Sequence, residues 1–253
     1  MNITPVILTY NEEPNIAATL ATLAWASRIV VVDSGSSDRT EAIARSFANV
    51  VWSTRRFDSH AAQWAFAIHE TGIETAYVLA LDADMRPSRE FSEELTSFLA
   101  GSGRAGLVPF EYRIHGRRLL GSIYPPQVRV FAKDSVRVEQ RGHTQVFTPT
   151  APVYRFRAKL IHEDLKPFSR WLTNQLKYAA LEADRIRTAP SHGLRDRLRR
   201  SGFSPAITGA YAYLRAGGPF SGSAARAYAQ ERIVFESLLA RLLTGPEKAR
   251  LPL

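Results

Sequence analysis

The chain has 253 residues, enough to bury a full core as one large domain or as a domain with an appendage. It has no cysteine, which excludes a disulfide framework and a thiolate zinc site. Its net charge of +9 is uneven: residues 1–150 hold 15 Lys and Arg against 16 Asp and Glu, and residues 151–253 hold 18 against 8. The first predicted strand begins near Ile3 and covers Pro5-Val6-Ile7-Leu8, running into Thr9-Tyr10-Asn11-Glu12-Glu13. No basic n-region with an apolar h-region precedes it, so a cytoplasmic protein is expected. The next strand, Ile29-Val30-Val31-Val32, ends in Asp33-Ser34-Gly35-Ser36-Ser37-Asp38-Arg39-Thr40. A third apolar run, Ala76 to Leu81, stops abruptly at Asp82-Ala83-Asp84, with Pro87 marking a helix start nearby.

Short unbroken apolar runs are the mark of strands buried on both faces. Strands alternating with helical patterns imply a parallel sheet, and parallel strands end on one edge. Thr9, Asp33 and Asp84 are therefore expected on that edge, where open α/β sheets place their ligand crevice. Two carboxylates flanking one small residue suit a divalent cation, and the cation in turn holds a diphosphate. A plainer reading has Asn11, Ser37 and Asp38 capping the helices that follow. It leaves unexplained why Asp33 stands at the strand end itself.

The trio LTYNEE, VVVDSGSSDRT and LDAD resembles the nucleotide-sugar domain of family 2 glycosyltransferases, which have the GT-A fold. Gly116-Arg117-Arg118, Tyr124-Pro125-Pro126-Gln127, Arg129-Val130-Phe131 and Ile161-His162-Glu163-Asp164 are similar to segments of the lipopolysaccharide-core β-glucosyltransferase type. The resemblance implies an α/β GT-A domain over residues 1–165, a nucleotide-sugar donor, most simply a UDP-hexose, and Mg²⁺ or Mn²⁺. It also implies inversion at the anomeric carbon and a glycan or lipid-linked acceptor. By the same resemblance Asp84 is a metal ligand, Asp82 lies near the ribose or the metal, and Asp33 meets the base. Thr9, Asn11 and Glu12 form the loop around the nucleoside. His162 is a further metal ligand or a histidine beside a helix start, and Arg129 reaches a phosphate or lies at a strand edge.

Two departures from the family pattern stand out. Trp64-Ala65 replaces an Arg/Lys-Asn pair that faces the nucleotide, leaving Gln63 or His60 as substitutes. The family's His-Glu pair after Arg-x-Phe reads His143-Thr144. The general base is then His143, Asp164, Glu139 or Glu163, with His143 at the matching place and of suitable ordinary pKa. Two other classes share such a sheet: a nucleotidyltransferase, and a binding module that has lost turnover.

From residue 166 to 253 the pattern is helical. Phe168, Trp171, Leu172, Leu176, Ala179, Ala183 and Ile186 form an apolar stripe flanked by Lys and Arg. Arg195 to Arg200 is a basic run, and Ser201 to Leu214 carries no charge, too short to span a bilayer. This half is expected either to lie on an anionic membrane surface or to pack within the protein. Nucleic acid is disfavoured, because the aromatic residues fall on helical stripes rather than on a strand platform.

Overall fold

The structure is a computed structural model and describes residues 1–141, 144–188 and 193–245. The apolar runs form strands because β-branched side chains fit a pleat covered on both faces. In chain order the elements are β1 (Ile3–Thr9), α1 (Ile16–Ala21), β2 (Ile29–Asp33), α2 (Thr40–Arg45), β3 (Val50–Thr54), α3 (His60–His69), β4 (Tyr77–Asp82), β5 (Met85–Pro87) and α4 (Arg89–Ala100). They continue with β6 (Ala105–Val108), β7 (Phe110–Ile114), β8 (Arg117–Arg118), β9 (Gln127–Ala132), β10 (Val136–Arg141), β11 (Thr144–Pro149), β12 (Val153–Arg155) and β13 (Leu160–His162). Helices α5 (Phe168–Thr188), α6 (Leu194–Arg200), α7 (Ser204–Arg215) and α8 (Gly222–Thr244) complete the described chain.

By its contacts the chain forms two units, Met1–Glu111 with Pro125–Leu165, and Tyr112–Tyr124 with Lys166–Leu253. The first is built on a seven-stranded sheet of order β12-β6-β9-β4-β1-β2-β3. Strands β4, β1, β2 and β3 run parallel, and β9 enters antiparallel to both β4 and β6. Alternation along each strand supplies two cores. Ile7, Ile29, Val31, Leu79 and Leu81 pack with α1 and α4 residues such as Leu20 and Phe91. Val6, Val30, Val32, Val78 and Ala80 pack with Trp64 of α3 and Phe147 of β11. Each Val, Leu, Ile or Phe among them contributes about 1.5–3 kcal/mol over leaving it exposed. Trp64 is fully buried and meets Phe147 edge-on at 5.2 Å, so it is a core residue.

The second unit includes a segment that the sequence pattern had left with the first. Leu119 packs with Ala212, Ala216 and Tyr228, beside Tyr112, Ile114 and Ile123. Two hydrogen bonds from its backbone fix it there: Leu120 N donates to Ala216 O at 3.1 Å, and Ile123 N to the Tyr228 side-chain hydroxyl at 3.1 Å.

The basic run divides: Asp196 and Arg199 are buried, whereas Arg195, Arg197 and Arg200 are exposed. Arg199 is buried and donates to Glu236 through Nη2 at 2.7 Å and to Glu182 through Nη1 at 2.6 Å. Arg200 donates to the Ile186 carbonyl at 2.8 Å. Asp196 is buried and takes two bonds from Arg185. Arg197 is exposed. Among the described residues no helix is long and apolar enough to cross a membrane.

Candidate active site

The register of the parallel strands places the acids. Thr9 pairs with Asp33 across β1 and β2, and Leu8 pairs with Asp82 across β1 and β4. All three strands end within one residue of the same edge, as the apolar runs predict.

The loops after β1 and β2 are stitched together. Asp33 is buried, and its Oδ1 accepts from Thr9 Oγ1 at 3.0 Å. Its Oδ2 accepts from the backbone of Gly35 at 2.8 Å and Ser36 at 2.7 Å. Asn11 holds a left-handed backbone, φ 55°, which asparagine tolerates better than most residues. Its side-chain oxygen accepts from Ser37 N at 2.7 Å and Asp38 N at 3.3 Å. Glu12 N donates to Thr40 Oγ1 at 2.7 Å, and the Glu12 carboxylate accepts from Asn15 at 2.8 Å. Thr9 and Asp33 thus shape the floor of this edge, and Asn11 and Glu12 form its wall. Asp38 accepts the Thr40 N–H at 3.0 Å just ahead of α2, whose N-cap is Arg39 and carries no side-chain cap bond.

The β4–β5 turn carries the other two acids. Thr19 of α1 donates to the Ala83 carbonyl at 2.6 Å and anchors the turn. Strand β13 pairs antiparallel with β5, His162 opposite Met85, and Glu163 N donates to Asp84 O at 3.1 Å. His162 Nε2 therefore lies 3.7 Å from Asp84 Oδ1. That Asp84 oxygen is buried and has no hydrogen-bond partner among the described residues. An orphaned buried carboxylate oxygen facing an imidazole nitrogen is what a shared cation would satisfy.

Asp82 faces Arg129 instead. Arg129 is 3% exposed, lies with its guanidinium 5.7 Å from the Phe110 ring centroid, and donates through Nη2 to Asp82 Oδ2 at 3.1 Å and Gln127 at 2.7 Å. Its Nε and Nη1 are buried without hydrogen-bond partners among the described residues. The protein around Asp82 pushes its carboxyl up, but Arg129, then His162 and His60, hold it below the ordinary carboxylate value. Asp82 is thus an anion at neutral pH. Burial pushes the His60 imidazole below its ordinary value, against the opposing pull of Asp82, so His60 is neutral there. Gln63, the other proposed substitute, is fully buried and bonds Ser34 and Arg55.

The candidate bases separate by position. Glu163 is buried and ion-paired with Arg86 at 2.5 Å, which braces β13 on β5. Asp164 is exposed and accepts from Asn15 Nδ2 at 3.0 Å, while Asn15 Oδ1 accepts from Leu165 N at 2.9 Å. Glu139 is exposed on β10 and accepts from Thr148 at 3.2 Å. His143 lies outside the described residues.

A parallel-edge acid cluster of this kind matches a known family. The family description "Glycosyl transferase family 2" fits residues 4–158, more than half the chain. The chain belongs to glycosyl transferase family 2. It is 28% identical over 246 residues to the lipopolysaccharide core biosynthesis glycosyltransferase LpsC of Rhizobium meliloti (strain 1021), covering 83% of this chain and 88% of that one. It is 31% identical over 119 residues to glycosyltransferase AglE of Haloferax volcanii, covering 42% of this chain and 39% of that one. The crystal structure of S. aureus TarS 1-349 in complex with UDP shares the fold, at 15% identity and a TM-score of 0.50, over 95% of this chain and 90% of that chain. The expected GT-A architecture with a C-terminal helical region is the one observed, and the protein is a glycosyltransferase. Family membership sets aside the nucleotidyltransferase alternative.

The sequence pattern had not pointed to Gln127, Asn15 and Arg86 as supports of the site. Asn15 joins the nearby Glu12 to Asp164, and Arg86 meets Glu163, both reaching a partner far away in the chain, while Gln127 meets Arg129 two residues on, beside Asp82.

Proposed function

We propose that this glycosyltransferase moves a hexose from a UDP-sugar to a glycan or lipid-linked acceptor of the lipopolysaccharide core, with inversion and with Mg²⁺ or Mn²⁺. The observation that carries the reading is the buried Asp84 Oδ1, without a hydrogen-bond partner among the described residues, with His162 Nε2 3.7 Å away at the edge of the parallel sheet. Likeness to LpsC supports the acceptor class. Among the described residues no three His, Cys, Asp or Glu side chains group to hold a metal. Asp84 and His162 would therefore supply two ligands, and the donor's phosphates would complete the set, as is usual for ions with few protein ligands. Such an ion, when bound, neutralises charge on the departing diphosphate.

The chain's own groups do the rest. Asp33, kept in place by Thr9, Gly35 and Ser36, holds the loop that Asn11 and Glu12 complete around the nucleoside. Arg129 keeps Asp82 ionised and fixed in direction. The acceptor hydroxyl attacks the anomeric carbon from the face opposite the leaving group, the sugar–phosphate bond breaks, and the hydroxyl proton passes to a base. His143 fits that role best by its place in the family pattern, an imidazole being able to take a proton near neutral pH.

A thermal-shift screen of nucleotide sugars with and without Mn²⁺ tests the donor. A ligand that binds the native state alone raises the melting temperature by mass action. A UDP-hexose should do so in a metal-dependent way. A rise with all nucleotide sugars alike, independent of metal, counts against the assignment.

A further inference from the structure

Helix α7 is turned inside out. A surface helix ordinarily buries its large apolar side chains and shows polar ones. In α7 the buried positions are Ser204, Gly209 and Ala212, followed by Ala216. The approach to α8 is so close that a Cβ on Gly209 would stand 2.4 Å from Ile233 Cγ1. The large residues face outward: Phe203 is 69% exposed, Ile207 50%, Tyr211 54% and Leu214 70%. Their spacing of four, four and three places them on one stripe. Phe220, just beyond the helix, is 89% exposed. A contiguous apolar strip of this kind marks a docking surface.

Charge selects the occupant. Residues 193–230 contain six arginines and one acid, Asp196, which is buried and spent on Arg185. Arg197, Arg200, Arg215 and Arg226 are exposed. Two copies meeting through this face would bring arginines together with no exposed acid in the segment to pair them. An anionic bilayer complements both features, since apolar side chains enter the acyl boundary and arginines meet the lipid phosphates. The tyrosine suits the same depth, with an apolar ring and a polar tip.

We infer that the outward face of α7, Ile207, Tyr211 and Leu214 with Phe203 at its N-cap, together with the exposed Arg215 at its end and Arg197 of α6, seats the protein on an anionic phospholipid surface. This stands apart from the donor and metal assignments above. Co-sedimentation of the full chain with phosphatidylcholine vesicles, with and without one quarter phosphatidylglycerol, tests it. Wild type should bind the anionic vesicles and be released as salt rises. The pair Ile207→Ser and Leu214→Ser should weaken binding about tenfold or more. The pair Arg197→Glu and Arg215→Glu should weaken it by on the order of tens-fold and remove most of the salt dependence. All four positions are exposed, so circular dichroism and UDP-hexose binding should be unchanged in both variants. The inference is overturned by wild type that ignores anionic vesicles or binds both kinds equally. It is equally overturned by an apolar variant that binds as wild type does, or by one that turns a wild-type dimer into monomer without altering vesicle binding.

Discussion

Arg199→Met strikes a buried charge network whose cost follows from its geometry. The guanidinium is 3% exposed and gives Glu236 three bonds, at 2.7, 3.1 and 3.2 Å, and Glu182 one at 2.6 Å. Glu182 keeps a second partner in Arg185, at 2.9 and 3.0 Å. Glu236, itself 3% exposed, would be left as an uncompensated buried anion. Breaking a buried pair from one side costs about 3–5 kcal/mol, a large share of the ~5–15 kcal/mol that holds a domain together. Urea unfolding followed by far-UV circular dichroism reads the loss as a lower midpoint. Adding Glu236→Leu removes the stranded charge and should recover most of the stability, because an apolar pair of similar size often replaces an ion pair without cost. A single variant within about 1 kcal/mol of wild type would refute the buried network.

The same network gives a pH dependence. Burial pushes Glu182 up, but its bonds with Arg185 and its pairing with Arg199 hold it below the ordinary 4.5. A depressed folded value means stability present above pH 4.5 and lost as pH falls below it, so the urea midpoint should drop on acidification and drop less in Glu182→Gln. Arg129→Met takes from Asp82 the guanidinium that keeps it ionised, so the acidic limb of kcat/KM should move to higher pH; an unmoved limb means that Asp82 does not contribute to it. Asn11→Ala loses the bonds to Ser37 and Asp38 and strains a left-handed backbone, at about 1–3 kcal/mol, whereas Asn11→Gly should lose the bonds alone; equal melting temperatures for the two would count against backbone strain. His143→Ala should slow turnover roughly a hundredfold to ten-thousandfold with donor binding kept. If it does not, Asp164→Asn and Glu139→Gln are next to measure.

Strands β1, β2 and β4 were legible because each carries a short apolar run that stops at a polar residue, Thr9, Asp33 and Asp82, and their parallel register then fixes where those residues stand. Partners set by distant pairing were not legible. Arg129 meets Asp82 because β9 runs antiparallel beside β4, and His162 meets Asp84 because β13 pairs with β5. Neither pairing leaves a local signal, since strand order in a sheet is set by contacts between segments distant in the chain. In the run Arg195–Arg200 composition could not tell the buried arginine from the exposed ones. Helical spacing puts Arg199 inward and Arg197 outward, while composition alone treats them alike. In Ser201–Leu214 composition showed the missing charge, but only the packing of Gly209 and Ala212 on α8 shows that the large apolar residues face out.

Asp84 is proposed to act on the diphosphate of a sugar donor. UDP release from a UDP-hexose in the presence of a lipopolysaccharide-core acceptor, measured for wild type and Asp84→Asn across a Mn²⁺ titration, tests it most directly. Wild type should require the metal, and Asp84→Asn, which keeps the shape and loses the charge, should be slower by on the order of a thousandfold or more at saturating Mn²⁺. Turnover by Asp84→Asn at close to the wild-type rate, or wild-type turnover undiminished by EDTA, would contradict the account.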